Sequence, residues 1–208
     1  MKKLMPMAFA AIISLPVIAG IGSVAAADAT AQPVNIRGSI DRFHGNTLEV
    51  TTREGEDLDI ALANGWIVSG VASAQITDIK PGDYVGIASL PMADGSAGAL
   101  EVLIFPAMMK GTGEGSFGWD LQPNSTMTNA TVADAVEGVD GRTVTVSYHG
   151  QQKRITIPEG TPVVTFAPAT QTDLVRGAAV FVFAQKAADG SVIGQQVIVG
   201  TNGVVPPM

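Results

Sequence analysis

Few residues of this chain have the types and the spacing that catalysis requires. Four carboxylates cluster on a predicted turn and on the polar face of a predicted strand, where a solvated surface is expected: Glu54, Glu56, Asp57 and Asp59. Both histidines, His44 and His149, fall in predicted hairpin turns, and the chain has no Cys to act as a nucleophile or thiolate ligand. No G-x-S-x-G elbow occurs. We therefore expect a protein that is not an enzyme, with no catalytic residues and no cofactor.

Two motifs could bind a ligand through backbone or soft side-chain atoms. Residues 113–118 fit G-x-G-x-x-G, but the sequence after them predicts no helix, so we interpret them as a tight loop rather than a dinucleotide site. Met108, Met109 and Met127 share one segment, and thioethers are soft enough for Cu(I), although adjacent methionines more often fill gaps in a core. We expect no metal site and retain copper handling, accessory to envelope transport, as the alternative function.

An internal repeat sets the elements that would have to position any site. Gly-Asn-Thr-Leu-Glu-Val at residues 45–50 returns as Gly-Arg-Thr-Val-Thr-Val at 141–146, an offset of 96. Gly-Asp-Tyr-Val at 82–85 returns as Gly-Ala-Ala-Val at 177–180, and Ala-Asp-Gly-Ser at 93–96 returns at 188–191, both at an offset of 95. A repeat of this kind indicates two copies of one small structural unit.

Each copy predicts about five short strands, because apolar and polar residues alternate between turn signals such as Pro81-Gly82 and Asp140-Gly141. One helical or 3₁₀ turn precedes the fourth strand. We predict an all-β protein of two tandem five-stranded OB-like barrels, with SH3-like barrels as the alternative, joined by an ordered connector. The expected bounds are a signal peptide at 1–27, a flexible segment at 28–34, the first barrel repeat at 35–106, the connector at 107–130, the second barrel repeat at 131–204 and a tail at 205–208.

The repeated motifs resemble a known family. Gly-x-Thr-(Leu/Val)-x-Val, followed by Asp-Ile-Lys-Pro-Gly-Asp-Tyr-Val and Ala-Asp-Gly-Ser, is similar to an OB-like bacterial domain family of unknown function, in particular to a tandem alphaproteobacterial subgroup. The resemblance covers residues 36–204. It implies exported proteins with small β-barrel domains, and it implies no catalytic residues.

The N-terminus predicts export. Lys2 and Lys3 precede an apolar run, and small residues close it in an A-x-A pattern that places cleavage after Ala27, with Ala29 as the alternative. No second run approaches the length of a membrane span, so no integral membrane segment is expected after cleavage. Without the two lysines the formal charge of −7 becomes −9, which disfavours nucleic acid as a partner. We expect a periplasmic protein.

The connector between the two copies is the long stretch without a repeat partner. A disordered linker would avoid large apolar residues, yet this segment contains Phe117, Trp119 and Leu121. We expect it to be ordered and packed across both barrels, either simply plugging them or forming a recognition loop. In the second case Phe117 and Trp119 offer ring faces, and Glu114 and Asp120 offer acceptors. The predicted function is non-catalytic binding of a periplasmic protein or small ligand, or an adaptor role.

Overall fold

The computed structural model describes residues 31–138 and 141–206, with backbone alone described at 136–138 and 141. The signal peptide at 1–27 and Asp140 of the predicted Asp140-Gly141 turn therefore lie outside the described residues. The strands are β1 (Gln32–His44), β2 (Thr47–Thr52), β3 (Asp57–Ser73), β4 (Tyr84–Pro91), β5 (Ala97–Ile104), β6 (Gly115–Gly118), β7 (Thr126–Gly138), β8 (Gly141–Tyr148), β9 (Gln151–Pro158), β10 (Val163–Ala167), β11 (Ala179–Lys186) and β12 (Val192–Gly200). Short 3₁₀ turns occupy Ile76–Asp78, Ala107–Met109 and Gln171–Asp173. Within the described ranges no helix has the length and apolar character needed to cross a membrane.

The all-β prediction is confirmed, and most predicted strands are present. β1 begins at Gln32, inside the segment expected to be flexible, and β7 begins at Thr126, inside the expected connector. β3 is one strand of 17 residues where the sequence suggests two, because Gly65 adopts a φ of 77° that lets the strand bend and continue. In the second copy the equivalent Gly160, with a φ of 83°, lies in a turn between β9 and β10.

Five strands close into a barrel. β1 pairs with β2 and β2 with β3, both antiparallel, and on its other edge β1 pairs with β11. β11 pairs with β12, and β12 closes the ring by a parallel pairing with β3 that runs from Ile193 opposite Ala61 to Gly200 opposite Val71. Closure leaves no unpaired edge within the ring.

A second set of five strands pairs in the same order. β7 pairs with β8, β8 with β9, β4 with β7 and β4 with β5, all antiparallel. The ends of this set meet through a short parallel pairing of β5 with β9, at Ala97 with Ile155 and Gly98 with Thr156. β10 joins the set to the first barrel, because it pairs with both β3 and β5. β6 adds to the edge of β7.

Each sequence repeat contributes strands to both sets. The closed barrel combines β1, β2 and β3 of the first copy with β11 and β12 of the second, while the other set combines β7, β8 and β9 with β4 and β5. The repeat by itself predicts one barrel for each copy, at 35–106 and 131–204. Both arrangements bury the same apolar faces, so the alternation of residues along each strand does not distinguish them.

The two strand sets have separate cores with a third cluster between them. The barrel core holds residues from both copies, including Ile40, Leu48 and Val182, and the core of the second set includes Ile87, Val144 and Ile155. Burial of each such side chain contributes about 1.5–3 kcal/mol. The cluster between the sets is formed by Val71, Leu103, Val164, Phe181 and Ile198. This central cluster fixes the seam over which the connector lies.

The exchange of halves between the repeats can be tested with engineered disulfides. Gln32 of β1 lies opposite Lys186 of β11, and both are exposed. Adjacent antiparallel positions lie within the Cα separation that a disulfide spans, so a Gln32→Cys/Lys186→Cys variant should form an intramolecular disulfide under air oxidation. Peptide mass spectrometry of the non-reduced monomer detects the cross-link.

The matched control is Gln32→Cys/Pro91→Cys. Pro91 is the first-copy residue at the repeat offset of 95 from Lys186 (186 − 91), so it would lie opposite Gln32 if each repeat formed its own barrel. This pair should remain as free thiols. A disulfide in the control and none in the first variant would show that each repeat forms its own barrel.

Candidate functional site

The connector follows an ordered path over the seam between the strand sets. After the 3₁₀ turn at Ala107–Met109, Lys110 Nζ donates to the carbonyl of Gly82 at 3.1 Å. The Tyr84 hydroxyl donates to the carbonyl of Thr112 at 3.0 Å, and Asn129 Nδ2 donates to the carbonyl of Gly113 at 3.2 Å. Burial raises the pKa of Tyr84 to about 12, and the charge of Glu114 adds to this rise. These bonds tie the glycine-rich part of the connector to the second strand set.

Glu114, a predicted ligand acceptor, accepts a hydrogen bond from the protein itself. Its Oε1 atom accepts a hydrogen bond of 2.8 Å from the backbone N–H of His149. His149 has a φ of 46° in the turn between β8 and β9. The carboxylate thus stabilises the turn by giving the backbone N–H of His149 a hydrogen-bond acceptor. Glu114 holds the connector in place in this structure.

Asp120 anchors the other end of the connector to the closed barrel. Its carboxylate accepts hydrogen bonds from Arg37 Nη2 at 2.7 Å and from Asn35 Nδ2 at 3.2 Å. Partial burial raises the pKa of Asp120, but the hydrogen bonds and the charge of Arg37 outweigh this effect and hold the pKa below its usual value. Arg53 donates to the backbone carbonyls of Asp120 and Leu121. The predicted acceptor Asp120 is therefore part of an ion pair that fixes the loop.

Phe117 and Trp119, the two predicted ring-bearing residues, pack together over the seam. Their ring centroids are 6.2 Å apart at an interplanar angle of 71°, and the Trp119 ring stacks on Phe181 at 6.3 Å. The Arg37 guanidinium lies 5.7 Å from the centroid of the Trp119 ring, a favourable cation–π geometry. Phe117 stays 43% exposed, whereas the indole Nε1 of Trp119 is buried and has no hydrogen-bond partner among the described residues.

Under these rings lies an apolar cavity of about 340 Å³. Its walls come from both strand sets and from the connector: Gly86, Leu103, Phe105, Met109, Thr112, Gly113, Phe117, Trp119, Met127, Asn129, Phe166, Phe183, Gln196 and Ile198. The cavity is partly open to solvent at the connector, and a concave site of this size that is lined mostly by aromatic and aliphatic groups is a feature of ligand-binding proteins. Glu114 and Asp120 are not among the lining residues.

The methionines divide between the cavity and the surface. Met109 and Met127 both line the cavity, and Met127 is buried. Met108 is 90% exposed and lies outside the cavity lining. In the ranges 31–138 and 141–206, no group of three or more His, Asp or Glu side chains is arranged to hold a metal ion. The structure thus brings two of the three candidate thioethers to one site.

A buried carboxylate on the same seam has no counterpart in the sequence analysis. Glu101 of β5 is 8% exposed, and its Oε1 atom has no hydrogen-bond partner in the described part of the chain. It lines a second cavity, of about 400 Å³, which residues 204–206 border. Burial raises the pKa of Glu101 to about 7, although the charges of Arg37 and Arg53 act to lower it. Its position within an apolar strand gave no sign of this environment.

The architecture defines an all-β protein with a closed five-stranded barrel, further paired strands and an apolar cavity under a connector. No protein-family model, curated protein or solved structure matches the chain. The site therefore has to be interpreted from its own geometry.

Glu101 makes a testable contribution to the pH dependence of stability. A carboxyl of the unfolded chain titrates near about 4.3, while that of folded Glu101 titrates near pH 7. Between these pH values the folded state keeps a proton on Glu101 that the unfolded state has released, so the contribution of Glu101 to the free energy of unfolding falls as the pH rises. As the pH rises from 4 to 7, the free energy of unfolding of Glu101→Gln should increase by up to about 3 kcal/mol relative to that of the wild type.

Urea unfolding of both proteins across this pH range measures the difference. The control is Glu56→Gln, which removes the same charge from an exposed turn and should run parallel to the wild type. Parallel curves for Glu101→Gln and the wild type would contradict the assigned burial of Glu101.

Proposed function

We propose that this protein is a non-catalytic binding protein that encloses a small apolar or aromatic ligand beneath its connector. The observation that carries the proposal is the cavity of about 340 Å³ at the seam, walled by both strand sets and roofed by the segment that has no repeat partner. An apolar ligand on this lining removes nonpolar surface from water and gains dispersion contacts with the aromatic and aliphatic side chains.

The polar groups at the cavity provide limited specificity. The indole N–H of Trp119 lacks a hydrogen-bond partner among the described residues, and leaving such a donor buried costs about 1–3 kcal/mol. That nitrogen has almost no accessible surface, so it does not itself meet a ligand in the cavity. Asn129 and Gln196 add side-chain amides to the wall. We propose a ligand with one or two polar atoms on an apolar or aromatic skeleton.

The predicted signal peptide and the strand order support a cellular location and a barrel type for this binding protein. The predicted signal peptide at 1–27 supports work in the periplasm after export. When strands are numbered by their position within a repeat, each set has the order first, second, third, fifth, fourth. The third and fifth strands are parallel in both sets, which supports an OB-like assignment over an SH3-like one. On this proposal the protein is a pair of OB-like barrels that have exchanged their last two strands.

Copper handling, the alternative function, is supported by fewer observations. Met109 and Met127 share the cavity, but the exposed position of Met108 leaves two thioethers there, and Cu(I) sites of this kind need a set of soft ligands. An adaptor role would use the outer face of Phe117, since its ring is partly exposed. The cavity favours a small ligand over both.

The proposal is tested with the fluorescent apolar probe N-phenyl-1-naphthylamine. The chain has two tryptophans, so a Trp66→Phe background leaves Trp119 as the only indole, beside the cavity. The probe should bind saturably and quench Trp119 through energy transfer. Thr112 lines the cavity from the exposed connector, so Thr112→Phe places a ring there and should weaken binding at least about tenfold.

Thr77→Phe provides the matched control, because it adds the same ring at an exposed position away from the cavity. It should bind the probe as the background protein does. Equal affinity in the Thr112→Phe and Thr77→Phe variants would place the probe elsewhere and overturn the proposal. Solvent extraction of the purified protein, followed by mass spectrometry, then identifies any ligand that it carries.

A further inference from the structure

The strand register relates the two sets residue by residue and exposes a difference between them. Ile40 pairs with Val50 in the closed barrel, and Val132 pairs with Val146 in the second set. β2 and β8 are therefore equivalent at an offset of 96 (146 − 50), whereas β1 and β7 are equivalent at 92 (132 − 40). The remaining strands keep the offset of 95 from the sequence repeat.

Four equivalent positions at one end of the sets change from apolar to polar. In the closed barrel they are occupied by Val34, Ile36, Leu58 and Ala184, all of which belong to or pack against its core. In the second set the same positions hold Thr126, Thr128, Lys153 and Ser89. The pairing confirms the equivalence, because Val34 lies opposite Ala184 and Thr126 lies opposite Ser89. Apolar side chains can therefore occupy these four positions on this backbone, but the second set has polar side chains there.

The polar residues form one hydrogen-bonded cluster around the lysine. Lys153 Nζ lies 3.1 Å from Thr126 Oγ1, 3.1 Å from Thr128 Oγ1 and 3.4 Å from Ser116 Oγ. Ser116 Oγ is 3.0 Å from Thr128 Oγ1, and Ser89 Oγ is 3.3 Å from Thr126 Oγ1. Thr128 and Ser89 are fully buried. We call these five residues the lysine–hydroxyl cluster.

The cluster holds a positive charge that has no carboxylate partner within the described residues. An ammonium has three donors and no acceptor, so the three hydroxyl oxygens around it accept, and their own hydrogens point elsewhere. Two hydroxyl–hydroxyl bonds use two of the four O–H groups, which leaves two O–H donors without a partner inside the cluster. Burial lowers the pKa of Lys153, as expected for an ammonium with no counter-charge. Such a group is stabilised by an anion.

The surroundings favour an anion as well. Lys153 and Thr126 line an open cavity of about 580 Å³, together with Asn124, Thr143, Gln152, Arg154 and Thr156. Residues 152–154 are Gln-Lys-Arg, with a charge of +2, whereas the equivalent residues 57–59 are Asp-Leu-Asp, with a charge of −2. The one carboxylate among the lining residues, Asp94, accepts from the Ser96 hydroxyl at 2.6 Å and also interacts with the charge of Arg154, so the lining as a whole carries a charge of +1. This local excess of positive charge occurs in a chain whose formal net charge is −7.

We propose that the lysine–hydroxyl cluster and the adjoining cavity bind the oxyanion group, a carboxylate or a phosphoryl group, of a small organic anion. The oxyanion accepts from Thr126, the hydroxyl of the cluster that lines this cavity, and neutralises Lys153, while Arg154, Gln152 and Asn124 contact the rest of the molecule. This site is separate from the apolar cavity at the seam and does not depend on the function proposed for it.

The test measures thermal unfolding of the mature chain with citrate, phosphate or glucose 6-phosphate against chloride at equal ionic strength. Oxyanion binding should raise the wild-type midpoint by about 2–5 °C at saturating anion. Lys153→Leu installs the residue of the closed barrel and should lose this rise, while Lys186→Leu removes an exposed lysine elsewhere and should keep it. A citrate response without a phosphate response assigns a carboxylate, and the opposite pattern assigns a phosphoryl group.

Phosphate stabilises many proteins by exclusion from their surfaces, so the comparison between variants decides the outcome. An equal rise in the wild type and Lys153→Leu, or no rise in the wild type, would overturn the proposal and make the cluster a structural filling. If Lys153→Leu does not fold, the variant with Ser89→Ala, Thr126→Val, Thr128→Ile and Lys153→Leu replaces it. That variant reproduces the whole apolar end of the closed barrel.

Discussion

The parallel pairing of β12 with β3 is the interaction on which the rest of the structure depends. It joins residues 193–200 to residues 61–71, so the last strand of the described chain closes a barrel that the first three strands begin. Such a contact spans most of the chain and its closure entropy is large, which only extensive burial on both sides can offset. The central cluster with Phe181 and Ile198 supplies part of that burial and lies directly beneath the connector. Without this closure there would be no seam, and the apolar cavity would have no second wall.

The sequence predicted the strands far better than it predicted their partners. Alternation of apolar and polar residues, together with turn residues such as Pro81 and Gly82, acts locally, and it located most strands and the 3₁₀ turns before β4 and β11. Pairing is a long-range property. Since the two repeats present the same apolar faces, β11 can replace β4 beside β1 without changing which side chains are buried. The repeat that revealed two units could not show that they exchange halves.

The candidate site was predicted in part, for a similar reason. Phe117 and Trp119 stood out because large apolar residues are unusual in a long segment without a repeat partner, and both line the seam cavity. Glu114 and Asp120 are the predicted acceptors in the same segment, but each accepts hydrogen bonds from the protein itself. No sequence signal marked Glu101, whose burial arises from strands that are distant in the chain. The sequence does contain a signal for Lys153, because an alignment of the two copies places this lysine at the position that Leu58 occupies in the first copy.

The connector strand β6 links the two proposed sites physically. Successive residues of a strand face opposite sides, so Ser116 joins the lysine–hydroxyl cluster while its neighbour Phe117 lines the apolar cavity. β6 has four residues and pairs with β7 alone, so few contacts restrain it compared with the strands of the closed barrel. The segment without a repeat partner therefore contributes a residue to each of the two sites, one from each face of the same short strand.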